Sequence, residues 1–182
     1  MFEVMRQLHD DHERVARLLD LMDEQISAIQ AAARADFELM LNAMHYILHY
    51  ADEFHHPRED AMFERLKMSG ADIEKTLVDL LREHKALAEK GDRFHRILET
   101  VVDGSLVPRE QIGELGLDYV DFLRSHMHKE ETEAFPVAER ELTHGDWEAI
   151  GEELEHQADP LFGAVVAKEY EALYRILTRS AS

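Results

Sequence analysis

The chain has 182 residues, no cysteine and a formal net charge of −19 at pH 7, from 20 basic and 39 acidic residues. This length is typical of one domain, and 45% apolar residues with eight glycines and four prolines favour a mostly helical globular protein. The acidic excess argues against nucleic acid and anionic membranes as partners, and the lack of cysteine excludes disulfides and thiolate ligands. No run of about 18 apolar residues and no signal-like start is present, so we expect a cytoplasmic protein.

Two long helices are predicted in the first third of the chain. Apolar residues three and four apart predict a helix over residues 2–33, and His12 lies on its buried stripe. A second pattern begins after Asp36, which is suited to be an N-cap, and runs in near-heptad order to Leu66. Gly70 then ends this segment.

The second helix contains a polar motif within its apolar stripe. His55 and Glu59 fall where apolar residues are expected, four positions apart and therefore on one face. By the same register, His56 and Asp60 belong to a neighbouring face. Because Pro57 removes a backbone N–H and crowds the preceding turn, we expect a kink between His55 and Glu59, which leaves Asp60 open as an alternative.

Two further long helices are predicted in the middle of the chain. One starts near residue 71 or 72 and runs to about 101, with His84 as the single polar residue in its stripe. The other has Pro108 in its first turn and carries His126 and Glu130 four positions apart. Glu131 points away in a regular helix, although Pro136 leaves it open as an alternative to Glu130.

The last 40 residues predict two shorter helices, at about 146–157 and 160–178, on either side of Asp159 and Pro160. We therefore expect a bundle over residues 1–140 and a helical extension over residues 141–182 that packs on the same domain.

The joint pattern predicts a metal site. A lone histidine near a core is more often a hydrogen-bonded structural residue than a ligand. Six polar residues on four helices would leave costly buried charges unless they bind cations or neutralise one another. The predicted ligands are His12, His55, Glu59, His84, His126 and Glu130.

Two iron ions fit this set best. Six nitrogen and oxygen ligands are too many for one tetrahedral zinc and too rich in imidazole for calcium or magnesium. If both glutamates bridge two irons, several positions stay open for a bridging oxygen species and for a small ligand such as dioxygen, peroxide or nitric oxide. His49, Tyr50 and Tyr119 are left open as additional ligands, and His45 with His49 as residues lining a path to the site.

The order His12, His55-x-x-x-Glu59, His84, His126-x-x-x-Glu130 resembles the hemerythrin-like HHE cation-binding domain over residues 1–140. The resemblance implies an all-α, up-and-down four-helix bundle with a carboxylate- and oxygen-bridged non-haem diiron centre. One departure is that oxygen-carrying hemerythrins have a second histidine one turn later on the third helix, where this chain has Ala88. One iron would then be more open to water or peroxide, which argues against reversible oxygen carriage.

Two kinds of function follow from these residues. The first is a diiron protein that binds or reacts with a small oxidant, and the second is a non-catalytic sensing or iron-handling module. The sequence leaves open whether the protein is an enzyme, and a homodimer is one oligomeric state that it permits.

Overall fold

In the computed structural model, the described residues are 2–50, 54–153 and 159–179, and all regular structure within these ranges is helical. The α-helices are α1 (Glu3–Gln30), α2 (Phe37–Tyr50), α3 (His56–Met68), α4 (Glu74–Val102), α5 (Arg109–Lys129), α6 (Phe135–Glu141), α7 (His144–Glu153) and α8 (Glu171–Arg179). A π-helical segment, Glu130–Ala134, joins α5 to α6, and a 3₁₀ turn, Lys168–Tyr170, precedes α8. None of the helices in these ranges has the length and apolar character needed to cross a membrane.

Four helical runs pack around a common core. Helix α1 contacts α2 and α5, and α4 contacts the same two helices. The buried apolar residues form two clusters, and the predicted polar residues lie between them. On α1, Leu8 belongs to one cluster and Val15 to the other, with His12 between them. On α4, His84 similarly separates Leu80 from Leu87.

The second predicted helix is two helices. A kink was predicted between His55 and Glu59, but Phe54 and His55 are π-helical and α3 begins at His56. Pro57 lies in the first turn of α3, where a backbone N–H has no partner within the helix, so the proline costs no hydrogen bond. The irregular backbone therefore precedes the proline. The spacing of His55 and Glu59 survives this change. Residues 51–53 of the predicted stripe lie outside the described residues.

The fourth predicted helix also contains a π-helical segment before a proline. Helix α5 carries His126, Glu130 opens the π-helical segment, and Pro136 lies in the first turn of α6. Both His-x-x-x-Glu motifs therefore lie beside a local widening of the helix, a feature that is frequent at functional sites.

The prediction for the C-terminal region is wrong in part. Residues 160–167 form turns instead of the first half of a helix over 160–178. The Asp159 carboxylate accepts hydrogen bonds from the backbone N–H groups of Leu161 and Phe162, at 2.8 Å each, and so stabilises a turn. Helix α7, His144–Glu153, overlaps the predicted 146–157, although residues 154–158 lie outside the described residues. The division into 1–140 and 141–182 stays a prediction.

Two glycines of α5 provide a test of the close packing between α1, α4 and α5. A Cβ at Gly116 would lie 2.8 Å from Ile26 Cδ1 and 2.9 Å from Phe94 Cζ, whereas a Cβ at Gly113 would meet nothing closer than 3.7 Å. We expect Gly116→Ala to destabilise the protein by about 1–3 kcal/mol through overpacking. Gly113→Ala, in the same helix, should be neutral or stabilising by up to about 1 kcal/mol. Chemical denaturation measures both, and equal effects of the two substitutions would contradict this packing.

Candidate metal centre

The structure brings the six predicted ligands into one buried layer, and we call them the six core residues. They lie on α1, at the turn before α3, on α3, on α4, on α5 and at the start of the π-helical segment. Their exposed fractions are all below one tenth: His12 6%, His55 6%, Glu59 0%, His84 8%, His126 2% and Glu130 0%.

Each glutamate contacts the histidine of its own motif. His55 Nε2 lies 3.1 Å from Glu59 Oε1, and His126 Nε2 lies 3.1 Å from Glu130 Oε1. The two motifs therefore point their imidazole and carboxylate groups at the same interior, as the spacing of four residues predicts.

The other two core histidines lie between the glutamates. His12 Nε2 lies 3.4 Å from Glu59 Oε1 and 3.4 Å from Glu130 Oε2. His84 Nε2 lies 3.4 Å from Glu59 Oε2 and 3.4 Å from Glu130 Oε1. All four Nε2 atoms thus face the four oxygens of Glu59 and Glu130, and each glutamate contacts residues on both sides of the layer.

The outer nitrogen of each core histidine donates a hydrogen bond to a second carboxylate. The four Nδ1 contacts are His12 to Glu131 at 2.8 Å, His55 to Asp11 at 3.3 Å, His84 to Asp60 at 3.0 Å and His126 to Glu83 at 2.9 Å. Such partners fix the tautomer so that Nε2 carries a lone pair, and they raise the basicity of the ring as a ligand. The four imidazoles are therefore oriented for cation binding.

Sequence reasoning missed these outer carboxylates as a group, although it left Asp60 and Glu131 open as ligands. Both instead lie on the outside of the layer, where each holds a histidine. A signal was present, because every outer carboxylate is next in sequence to a core residue: Asp11 to His12, Asp60 to Glu59, Glu83 to His84 and Glu131 to Glu130. Each outer carboxylate holds a histidine that is distant in the chain.

The expectation that His56 faces elsewhere is wrong. Its ring stacks on His84, with centroids 4.3 Å apart, and lies edge-on to His126 at 6.4 Å. The regular register fails here because the π-helical backbone at Phe54–His55 changes the direction of the residues that follow. His56 is therefore a further candidate for a ligand.

The contacts define two groups of possible ligand atoms that share one residue. His56, Glu59, His84 and His126 form one group, and His12, His55 and Glu59 form the other, each with its ligand atoms within 4.8 Å of one another. Among the described residues, several buried atoms of this layer have no hydrogen-bond partner, namely His12 Nε2, both Glu59 oxygens, His126 Nε2 and Glu130 Oε2. Unpaired buried polar atoms are costly, and cations bound between them would satisfy them. The residues thus fit metal ions.

Electrostatics within the layer also favour cations. Burial lowers the pKa of His55, but the carboxylates of Glu59 and Asp11 raise it more, to about 9. The pKa of His84 is likewise lowered by burial and raised more strongly by Asp60 and the two core glutamates, to about 12. His12 also has a raised pKa, because neighbouring carboxylates outweigh its burial. Without metal, these three rings hold protons where a cation would bind.

The pKa values of the two core glutamates are lowered, whereas those of the three histidines are raised. Burial raises the pKa of Glu59, but the charges and hydrogen bonds of His55, His12 and His84 lower it well below its usual range. The pKa of Glu130 is lowered as well, since hydrogen bonds from histidines outweigh burial and the nearby Glu59. Both carboxylates therefore stay ionised.

One outer carboxylate connects the layer to the C-terminal region. Asp11 accepts a hydrogen bond from Tyr50 Oη at 3.2 Å and one from Arg14 at 3.2 Å, and Arg14 also contacts Asp159 at 3.1 Å. Asp11, Arg14, Tyr50 and Asp159 line a polar cavity of about 320 Å³. Water can therefore reach the outer side of the His55–Asp11 pair, and Tyr50 contacts Asp11 through its hydroxyl group.

The other histidines of the described residues and Tyr119 are not among the six core residues. His49 and His128 are exposed, and His144 pairs with Glu148 on the surface at 3.4 Å. His9 binds Glu131 on the outer side, at 2.8 Å. Tyr119 lies beside a small cavity near His56. His156 falls outside the described residues.

A comparison with protein families decides the assignment. The model described as the hemerythrin HHE cation binding domain matches residues 4–138. The chain belongs to this family. The match contains all six core residues and their four outer carboxylates, and it confirms the resemblance noted in the sequence. The comparison with curated proteins finds no matching relative.

The raised pKa values predict that this HHE domain releases protons when it binds metal. A histidine ligand must be neutral, so the protons on His12, His55 and His84 leave as the cation binds. Metal affinity should therefore rise with pH. Calorimetric titration at pH 7 in two buffers of different ionisation enthalpy measures the release, and a binding heat that is independent of the buffer would contradict it.

The stability of the metal-free HHE domain should fall as pH rises above neutral, whereas metal affinity should rise. The pKa of His55 rises from 6.5 to about 9 on folding, so its contribution is complete below pH 6.5 and is lost as pH rises through 9. The core glutamates, whose pKa values are lowered on folding, stabilise the protein above about pH 4.5, and this contribution is lost in acid. Chelator-treated protein should thus lose stability from pH 6.5 to 9, as thermal unfolding would show.

Proposed function

We propose that this protein is a non-haem diiron protein that binds or reacts with a small oxidant, such as dioxygen, peroxide or nitric oxide, in its bundle core. The observation that carries this proposal is the convergence of four Nε2 atoms on the four oxygens of Glu59 and Glu130 in a fully buried layer. The cofactor would be two iron ions with a bridging oxygen species. The metal ligands would be His12, His55, Glu59, His84, His126 and Glu130.

The proposed architecture is the up-and-down four-helix bundle that the sequence resemblance implies. Its four members would be α1, the run formed by α2 and α3, α4 and α5. The contacts of α1 with α2 and α5, and of α4 with the same two helices, support a ring of neighbours in chain order.

Two groups of ligand atoms that share Glu59 support two ions instead of one. Glu59 belongs to both groups, and Glu130 contacts His12 on one side and His126 on the other. Both glutamates would thus be able to hold both ions. Bound iron would supply redox chemistry and positions open to an exogenous ligand. The protein would hold the histidine tautomers through the outer carboxylates and keep bulk water away through the two apolar clusters.

The size of the cavity on the His56 side of the layer favours a small ligand. A cavity of about 10 Å³ is lined by His56, Ala88, Tyr119 and the aliphatic side chains Ile47, Leu48, Leu87 and Leu123. This volume is near the minimum that holds one water. A diatomic molecule or a peroxide is of suitable size, whereas an organic substrate is too large.

His56 would compensate for the residue at position 88. Oxygen-carrying hemerythrins have a histidine at the place of Ala88, and here the His56 ring stacks on His84 and faces the same small cavity as Ala88. We therefore include His56 as a ligand of the iron held by His84 and His126.

The second candidate function is a sensing or iron-handling module without turnover. The contacts from His55 through Asp11 and Arg14 to Asp159 favour it, because they connect the proposed metal site to the C-terminal region. Consumption of peroxide or nitric oxide by the iron-loaded protein supports the first function, and ligand binding without consumption supports the second.

Iron content tests the proposal directly. Protein purified in air should contain about two irons per chain and absorb in the near ultraviolet through ligand-to-iron charge transfer. His126→Ala should lose most of this iron and absorption. His128→Ala is the matched control, since it is on the same helix but exposed, and it should retain both. Normal folding without iron uptake after anaerobic reconstitution would exclude the diiron proposal.

The role of His56 can be separated from that of the six core residues. If His56 binds one of the two irons, His56→Ala should release that iron to a chelator at least about tenfold more readily, while the second iron is retained. Iron remaining after timed dialysis against chelator measures this, with His128→Ala again as the control. Retention equal to that of the unmodified protein would show that His56 only packs against His84.

A further inference from the structure

Three histidines lie together outside the metal layer, where α2 packs against α4. His45 and His49 are one turn apart on α2, with ring centroids 4.3 Å apart, and His95 on α4 lies 6.2 Å from His45. His49 is exposed, and His45 and His95 are partly buried, so the group is open to solvent. The proposed diiron site uses none of these side chains.

The separations of His45 from His49 and from His95 are close to that of two imidazoles on one metal ion. With metal–nitrogen bonds of about 2.0–2.1 Å and tetrahedral geometry, two imidazoles on one ion have centroids about 5 Å apart. The observed 4.3 and 6.2 Å lie on either side of this value. Metal binding at this site requires side-chain rotations that bring one nitrogen of each ring to a common point, and His49 is exposed.

The surrounding charges also suit a cation. Glu99 Oε2 lies 3.6 Å from His95 Nδ1, and the carboxylate of Glu169, in the 3₁₀ turn before α8, also acts on His45. Burial and the two neighbouring imidazoles lower the pKa of His45, whereas these carboxylates raise it less, so its ring is neutral at pH 7. Imidazoles beside a carboxylate are the ligands that zinc and its late transition-metal neighbours prefer.

We propose that His45, His49 and His95, with Glu99 as the adjacent carboxylate, form a second metal site that takes a divalent late transition metal of the zinc, nickel or copper class. The site is separate from the core layer and does not depend on the identity of the core metal. It connects α2 to α4 at the surface.

Zinc binding to the full chain tests this site. Iron-loaded protein is dialysed against dilute zinc, and bound zinc and retained iron are both measured. The unmodified protein should bind one zinc per chain without loss of iron. His45→Gln and His95→Gln should each weaken this zinc binding at least about tenfold, because two imidazoles hold zinc less tightly than three.

The matched control is His144→Gln, which removes an exposed histidine that also has a carboxylate partner one turn away. It should bind zinc as the unmodified protein does. Zinc should raise the unfolding temperature of the chelator-treated, unmodified chain more than that of chelator-treated His45→Gln. A cooperative unfolding transition of His45→Gln without metal would show that this variant folds. Zinc binding that is unchanged in both His45→Gln and His95→Gln, or that appears only as iron is displaced, would overturn the proposal.

Discussion

The structure depends on the mutual neutralisation of charges in one buried layer. Glu59 and Glu130 have no exposed surface, and an unpaired carboxylate in such a place would be strongly destabilising. Four imidazoles face these oxygens, and the outer nitrogen of each donates a hydrogen bond to a second carboxylate. Apolar clusters lie on both sides and shield the contacts between the imidazoles and the two core glutamates from water. The helices must therefore keep their register for the layer to be satisfied.

Much of the layer was predictable because helical periodicity is strict. Residues four apart share a face, so His55 with Glu59 and His126 with Glu130 follow from the sequence alone, as does the burial of His12 and His84. The position of His56 was not predictable in this way. It depends on a π-helical turn before Pro57, and periodicity assumes a regular helix. Asp11 and Glu83 are also next in sequence to core residues, but they were missed because they resemble the many solvated acidic residues of an acidic chain.

The C-terminal region shows a different limit of sequence reasoning. Apolar spacing after Pro160 suggests a helix, but the Asp159 side chain offers its own hydrogen bonds to the backbone N–H groups of Leu161 and Phe162. Tyr46 Oη donates to the same carboxylate at 3.0 Å, and Arg14 connects it to Asp11. These partners are distant in the chain, so a local pattern cannot reveal them. The turn is thus set by contacts with α1 and α2.

Charge in the layer bears on the number of ions. Together with the two core glutamates, the four outer carboxylates place six negative charges around the histidines. Among the described residues, Arg14, Arg58 and Lys129 contact this group, and Arg14 is shared with Asp159. At least three negative charges are left, which the protons on His12, His55 and His84 balance when no metal is bound. One divalent ion carries less charge than these three protons and two carry more, which agrees with the proposed dinuclear site.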